Sequence, residues 1–210
     1  MNTALIGATG RTGRLVLDEL LQRGHSVTAL VRDPARLTTS HDRLRVAVGD
    51  SRNQEHLAPL LDGAEVVISA LGPTAKEGDL HTDTARALIA EMHRTGVGRF
   101  VGISGAGIDV PGDRKSVPAT VISKLIQTVG GAVVKDKPGE YAEFAVSDVD
   151  WTLVRPPRLT DGPATGRLEH DAHRTPRSMA VTRGDLAAFV VDVAEQGLYL
   201  RQAPFVATAR

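Results

Sequence analysis

Apolar positions along the chain come in two rhythms. Short, nearly continuous apolar runs at residues 4–6, 26–31, 44–48, 64–71, 99–103 and 151–154 have the length and β-branched content of strands covered on both faces. Between them the apolar residues fall at helical spacing. Leu15, Val16, Leu20 and Leu21 make one stripe, closed by Gly24. Ala85, Leu88, Ile89 and Met92 make another, predicting a helix over 80–95 with Gly96 as its stop. Helices are also predicted over 53–61, 136–147 and 185–195, with Gly63 and Gly197 after the first and last. Strand and helix patterns alternate five times before residue 104, which predicts an α/β fold: a doubly wound parallel sheet with helices on both faces.

The remaining stretches are less regular. Residues 109–118 are loop-like, rich in Pro, Gly and charge, and 119–129 read as a short apolar helix flanking a substrate cleft. Residues 166–173 and 177–181 read as a small outer hairpin, and 205–207 as a last edge strand. No internal repeat or low-complexity linker divides the chain, so residues 1–210 are expected to be one domain, with about 108–135 and 159–182 as excursions on the substrate side.

The first strand breaks into Gly7-Ala8-Thr9-Gly10-Arg11-Thr12-Gly13, and the first helical stripe follows at once. Glycines let the backbone turn tightly and approach a pyrophosphate, whose charge then sits on the free N–H groups of a helix N-terminus. Three glycines at this spacing also serve ordinary turns. The order strand, glycine turn, helix, second strand makes the nucleotide reading the stronger one. Ligands of such sheets bind beyond the carboxyl ends of the strands. Here those ends are residues 7–13, 32–36, Asp50, 71–73 and 104–107.

Composition narrows the class. A chain that is 41% hydrophobic and 24% charged is an ordinary globular one. Lys plus Arg equals Asp plus Glu, 25 each, so no net field favours nucleic acid or an acidic membrane surface. Cysteine is absent, which excludes disulfides, thiol nucleophiles and thiolate metal sites. No apolar run is long enough to span a bilayer, and the first strand leaves no room for a signal peptide. The expectation is a soluble cytoplasmic protein.

Cofactor choice is readable at the end of strand two. An acid there bonds a ribose 2′-hydroxyl, whereas this chain has Arg32 with Arg36 four residues later. Guanidinium groups suit a 2′-phosphate. Asp33 is the competing group, and NADP(H) is expected over NAD. Asp50 would lie near the adenine, with Leu71 and Gly72 further along the dinucleotide. Ser104 directly follows strand five, where its hydroxyl can meet substrate or the nicotinamide amide, or simply close a turn.

Taken together, Gly7-Ala-Thr-Gly-Arg-Thr-Gly13, Leu30-Val-Arg-Asp-Pro-Ala-Arg36, Val48-Gly-Asp50 and Val154-Arg-Pro-Pro-Arg158 followed by Asp161-Gly-Pro163 resemble the atypical short-chain dehydrogenase/reductases. Within these the chain is similar to NAD(P)H-binding proteins related to biliverdin-IXβ and flavin reductases, and more distantly to NmrA-like proteins. The resemblance covers nearly the whole chain. It implies a Rossmann domain, NADPH as hydride donor, and flavins or flat conjugated molecules as acceptors. It also implies cofactor contacts at Gly7, Thr9, Gly10, Thr12, Arg32, Arg36, Asp50, Leu71, Gly72 and Ser104. Arg11, Gly13 and Pro157 complete the cofactor-binding candidates. The resemblance places Lys137, at a helix start, beside the cofactor, where it serves the nicotinamide ribose or acts electrostatically. Ser104, Lys137 and Arg158 are thus the catalytic candidates.

Two departures matter. The Tyr-x-x-x-Lys motif of related dehydrogenases is absent, since Tyr141 and Tyr199 are followed four residues on by Ala145 and Ala203. The family's histidine after the Pro-Pro pair corresponds here to Arg158, which shifts the expected substrate toward an anionic or carbonyl-bearing one. His170 and His173 would point to opposite faces of a strand, so no metal site is expected. Tyr141 reads as half-buried packing and Trp151 as core. Neither a Gly-x-Ser-x-Gly elbow nor a Gly-Lys-Ser/Thr phosphate loop occurs. The reading is an NADPH-dependent oxidoreductase passing a hydride to a small flat acceptor: a flavin, quinone or related carbonyl compound. No nucleic-acid or membrane partner is expected, and the chain would be a monomer or homodimer. The rival is a non-catalytic, NADP(H)-sensing regulator of NmrA type that binds a partner protein.

Overall fold

The computed structural model describes residues 1–72, 78–116, 120 and 131–209, with the side chains of 131–135 left aside. Among these residues the main sheet consists of β1 (Asn2–Ile6), β2 (Ser26–Val31), β3 (Leu44–Val48), β4 (Val66–Ser69), β5 (Arg99–Ile103) and β6 (Asp150–Val154). All are parallel, in the order β3-β2-β1-β4-β5-β6. The chain winds outward from β1 to β3, returns to β4 beside β1, and winds outward the other way. The switch point therefore lies between β1 and β4, at the end where the glycine turn begins.

Strand residues alternate between two apolar layers, as the period of two demands. Leu5, Ala29, Ile68, Val101 and Val154 face α1 (Arg11–Gln22) and the helix Arg183–Glu195. Ala4, Ile6, Leu30, Val67 and Phe100 face α2 (Gln54–Leu61), α3 (Leu80–Thr95) and α4 (Gly131–Val146). Phe100 stacks on Phe144 of α4 with ring centroids 4.1 Å apart. Trp151 is core, and Tyr141 meets it edge-on at 5.8 Å.

Several predicted boundaries shift. α4 begins at Gly131, not near residue 136, and β4 spans only four residues of the predicted run. The last helix, α5, starts at Arg183 because the Thr182 hydroxyl accepts from the Asp185 N–H at 3.0 Å and caps it. The apolar stretch 119–129 lies outside the described residues.

The outer hairpin does not form. Instead β8 (Leu168–Asp171) pairs antiparallel with β10 (Phe205–Thr208), and β9 (Ala180–Thr182) pairs parallel with β7 (Arg158–Thr160). Such short segments have no register of their own; long-range docking decides their partners.

One buried cation ties the excursions to the sheet. Arg155, at the end of β6, is fully buried and donates to both oxygens of Asp113 at 2.7 Å. It also donates to the carbonyls of Ala203 and Ala172, and its guanidinium lies 3.7 Å from the centre of the Phe205 ring. The loop around Asp113 and the approach to β10 thus share one anchor. Asp113→Ala leaves the guanidinium buried without its charge partner, which should cost about 3–5 kcal/mol. That corresponds to a fall in Tm of roughly 6–20 °C, read by circular dichroism. The double variant Asp113→Leu/Arg155→Met should melt above Asp113→Ala.

Candidate functional site

The turn after β1 is built from backbone alone. A Cβ on Gly13 would sit 2.0 Å from the Gly7 carbonyl oxygen, and one on Gly7 would sit 2.7 Å from the Ala70 carbonyl carbon. Gly7 also has φ +83°, in the left-handed region that glycine tolerates. The Gly10 N–H donates to the Gly7 carbonyl at 2.9 Å, closing the turn. α1 then starts with no side-chain cap and no acid in its first turn, so its positive end is presented at the sheet's carboxyl edge. These features fit a pyrophosphate: the backbone is free of side-chain bulk at Gly7 and Gly13, and the first turn of α1 carries no carboxylate to repel it.

A cleft beside this turn brings together Gly7, Thr9, Arg32, Asp50, Leu71 and Leu80 from the ends of β1 to β4 and the start of α3. Arg11, Thr12 and Gly13 adjoin it as the first residues of α1. Arg32 and Arg36 are exposed around the single 3-10 turn Pro34–Arg36. The Asp33 carboxylate caps that turn by accepting from the Ala35 N–H at 3.0 Å. Asp50 accepts from both Nε and Nη2 of Arg52 at 2.9 and 2.7 Å. The Arg52 guanidinium holds its carboxyl down at about 2, so Asp50 is an anion at neutral pH. Gly72 has open space where a Cβ would be, at the near edge of the undescribed segment 73–77.

Ser104 follows β5. Its backbone N–H donates to the Val154 carbonyl at 2.8 Å, but its buried Oγ has no hydrogen-bond partner among the described residues. Lys137 of α4 reaches the same strand end and donates to the Ile103 carbonyl and Glu140 Oε2, both at 2.9 Å, and to His81 Nδ1 at 2.8 Å. Burial pushes the Glu140 carboxyl above its usual range, with Lys137 opposing. Pro157 is half-buried, while Arg158 is exposed at the start of β7, with no side-chain partner among the described residues. His170 bonds the Tyr199 hydroxyl at 2.6 Å, and among the described residues no cluster of His, Asp or Glu is arranged to hold a metal.

Sequence reasoning missed His81, Asp136 and Glu140. Asp136 caps α3 from α4: its carboxylate accepts from the N–H groups of His81 and Thr82 at 2.7 and 2.9 Å. The spacing Asp136-Lys137-x-x-Glu140 was a legible hint of charges on one helix face. His81 carried no signal, since its partner Lys137 is 56 residues away.

Comparison with known proteins agrees with this geometry. A family model described as NAD(P)H-binding matches residues 7–197. The uncharacterized protein YwnB of Bacillus subtilis is 31% identical over 107 residues, which is 51% of this chain and 48% of that protein, so the match spans about half that relative's length. The crystal structure of a Burkholderia pseudomallei protein, provisionally named as exported, is 31% identical, covers 99% of both chains and superposes with a TM-score of 0.80. The fold is also that of the anaerobilin reductase ChuY of Escherichia coli O157:H7 (TM-score 0.82, 21% identity, 99% and 97% covered). A short-chain dehydrogenase/reductase of Veillonella parvula, solved with NADP, likewise shares it (TM-score 0.80, 19% identity, 98% and 94% covered). No described helix is long and apolar enough to cross a membrane. With its glycine turn, its open α1 N-terminus and a family match over residues 7–197, this chain belongs to the NAD(P)H-binding protein family and folds as the short-chain dehydrogenase/reductases do.

Proposed function

We propose that the protein is an NADPH-dependent reductase whose acceptor is a small flat molecule: a flavin, a quinone or a related carbonyl compound. The observation that carries this reading is the Ser104 hydroxyl, buried and unpartnered among the described residues at the carboxyl end of β5. A buried hydroxyl left unpaired costs about 1–3 kcal/mol, which a ligand amide or carbonyl oxygen would remove. When bound, a reduced nicotinamide supplies the hydride; the protein binds and orients.

In this reading Gly7 to Gly13 hold the pyrophosphate against the α1 N-terminus, with Thr9, Arg11 and Thr12 in contact. Arg32 and Arg36 hold the 2′-phosphate. Asp33 is already engaged by its own turn, which favours phosphate over a bare 2′-hydroxyl. Asp50 marks the adenine end, and Leu71, Gly72 and Pro157 border the path toward the nicotinamide. Lys137 braces the end of β5, and Arg158 orients an anionic or carbonyl group of the acceptor. With no Tyr-x-x-x-Lys motif, rate comes mainly from holding the acceptor against the nicotinamide ring. A cytoplasmic location belongs to the same proposal and is checked by cell fractionation.

Arg32→Ala should weaken NADPH binding about 10–100-fold, the worth of a charge-assisted contact, and leave NADH binding nearly unchanged by calorimetry. Equal loss for both cofactors would remove the 2′-phosphate assignment. Gly13→Ala should abolish binding of both, because the first turn of α1 must move away from Gly7. Purified protein mixed with NADPH should lose reduced-nicotinamide absorbance only when flavin, quinone or a conjugated carbonyl compound is added. Tight NADPH binding with no loss over the whole panel would instead favour the sensor.

A further inference from the structure

Where the first turn of α3 and the middle of α4 meet the end of β5, two buried polar atoms have no hydrogen-bond partner among the described residues. Lys137 has three N–H groups and three acceptors, His81 Nδ1, the Ile103 carbonyl and Glu140 Oε2, so its donor capacity is used within the protein. Because His81 Nδ1 accepts from an ammonium group, the proton of its ring is on Nε2. Burial, and next the Lys137 charge, push the His81 pKa down and keep the ring neutral at neutral pH. His81 is 2% exposed, and its Nε2 has no partner among the described residues.

The second orphan is the Ser104 hydroxyl, one residue beyond the carbonyl that Lys137 grips. Leu80, the neighbour of His81, lines the dinucleotide cleft. By contrast, the unpaired atoms of Thr3, Arg99 and Trp151 lie at the amino ends of β1, β5 and β6, and that of Arg183 at the start of α5, where the same guanidinium is held by Asp161. His81 on α3 and Ser104 after β5 are thus two donors without partners among the described residues, tied to the same strand end by Lys137, and a ligand oxygen would satisfy them.

We propose that His81 Nε2–H and the Ser104 hydroxyl form a donor pair for the oxygen of a conjugated carbonyl acceptor, a quinone or an enone. This rests on the reductase reading above and narrows its acceptor class. Reduction delivers one hydrogen with two electrons from the dihydronicotinamide to a carbon of the conjugated system. The π pair moves onto the carbonyl oxygen, which carries the negative charge until a solvent proton neutralises it. Donors fixed in advance stabilise that oxygen without reorganising, and a neutral imidazole N–H is such a donor, with solvent rather than the ring supplying the proton. His81 and Ser104 thus supply the hydrogen bonds, though not the proton, that the missing tyrosine would give, with Lys137 as the positioning residue that fixes the tautomer.

Two substitutions separate donor from scaffold. His81→Asn keeps an acceptor near Nδ1 for Lys137 but has no donor at Nε2, whereas His81→Gln keeps a donor near Nε2. With a naphthoquinone acceptor, kcat should fall by about 10²-fold in His81→Asn, while His81→Gln stays within about tenfold of wild type. NADPH affinity and Tm should be little changed in His81→Asn. In ¹⁵N-histidine spectra of the wild type, His81 should carry its proton on Nε2, and that proton should shift when NADP⁺ and naphthoquinone are added together. A proton on Nδ1, an unmoved resonance at saturation, equal turnover in all three proteins, or equal loss in both variants each overturns the His81 assignment alone. No NADPH oxidation by wild type with any acceptor overturns the reductase reading and this inference with it.

Discussion

The approach of Gly13 to the Gly7 carbonyl is the constraint from which the site follows. With a Cβ at either glycine, the end of β1, the first turn of α1 and the Ala70 carbonyl could not occupy their present positions. Their contact puts an uncapped helix N-terminus at the switch point of the sheet, between β1 and β4. Glycine there costs conformational entropy. The fully buried side chains of Val16, Leu17 and Leu20, on the inner face of the same helix, offset it. A turn that needs glycine at two of its positions is thus sustained by the helix it launches.

Buried and half-buried cations divide the molecule by task. Arg99 spends its guanidinium on the carbonyls of Phe100, Asp150, Val193 and Leu198, and burial lowers its pKa to about 10. Arg155 is spent on Asp113 and neighbouring carbonyls. Both tie segments that the sheet hydrogen bonds do not reach. Lys137 is spent in the same manner, but its effect differs, because one of its acceptors is an imidazole. Accepting from the lysine at Nδ1 leaves the ring proton of His81 on its far nitrogen, which has no partner among the described residues.

The parallel sheet was legible because strands buried on both faces read as continuous apolar runs, and β2, β3 and β5 end where those runs end. α3 was legible from its stripe and from Gly96. The small strands were legible only in part: the run at 205–207 is β10, but β8 and β9 do not pair with each other as the expected hairpin, being only four and three residues long. The start of α5 was missed although Thr182-x-x-Asp185 is a capping signal.

At the candidate site, the glycine turn, the Arg32/Arg36 pair and Ser104 were legible as candidates, because each sits at a strand end that local pattern marks. That part depends on residues a few positions apart, and the sequence by itself determined it. Which polar groups are left without partners depends on contacts such as Lys137 with Ile103 and with His81, 34 and 56 residues apart. Composition and periodicity are blind to such pairings, because they arise only when α3 and α4 dock on one face of the sheet. The tertiary structure alone decided that Lys137 is saturated and that His81 Nε2 and the Ser104 hydroxyl have no partner among the described residues.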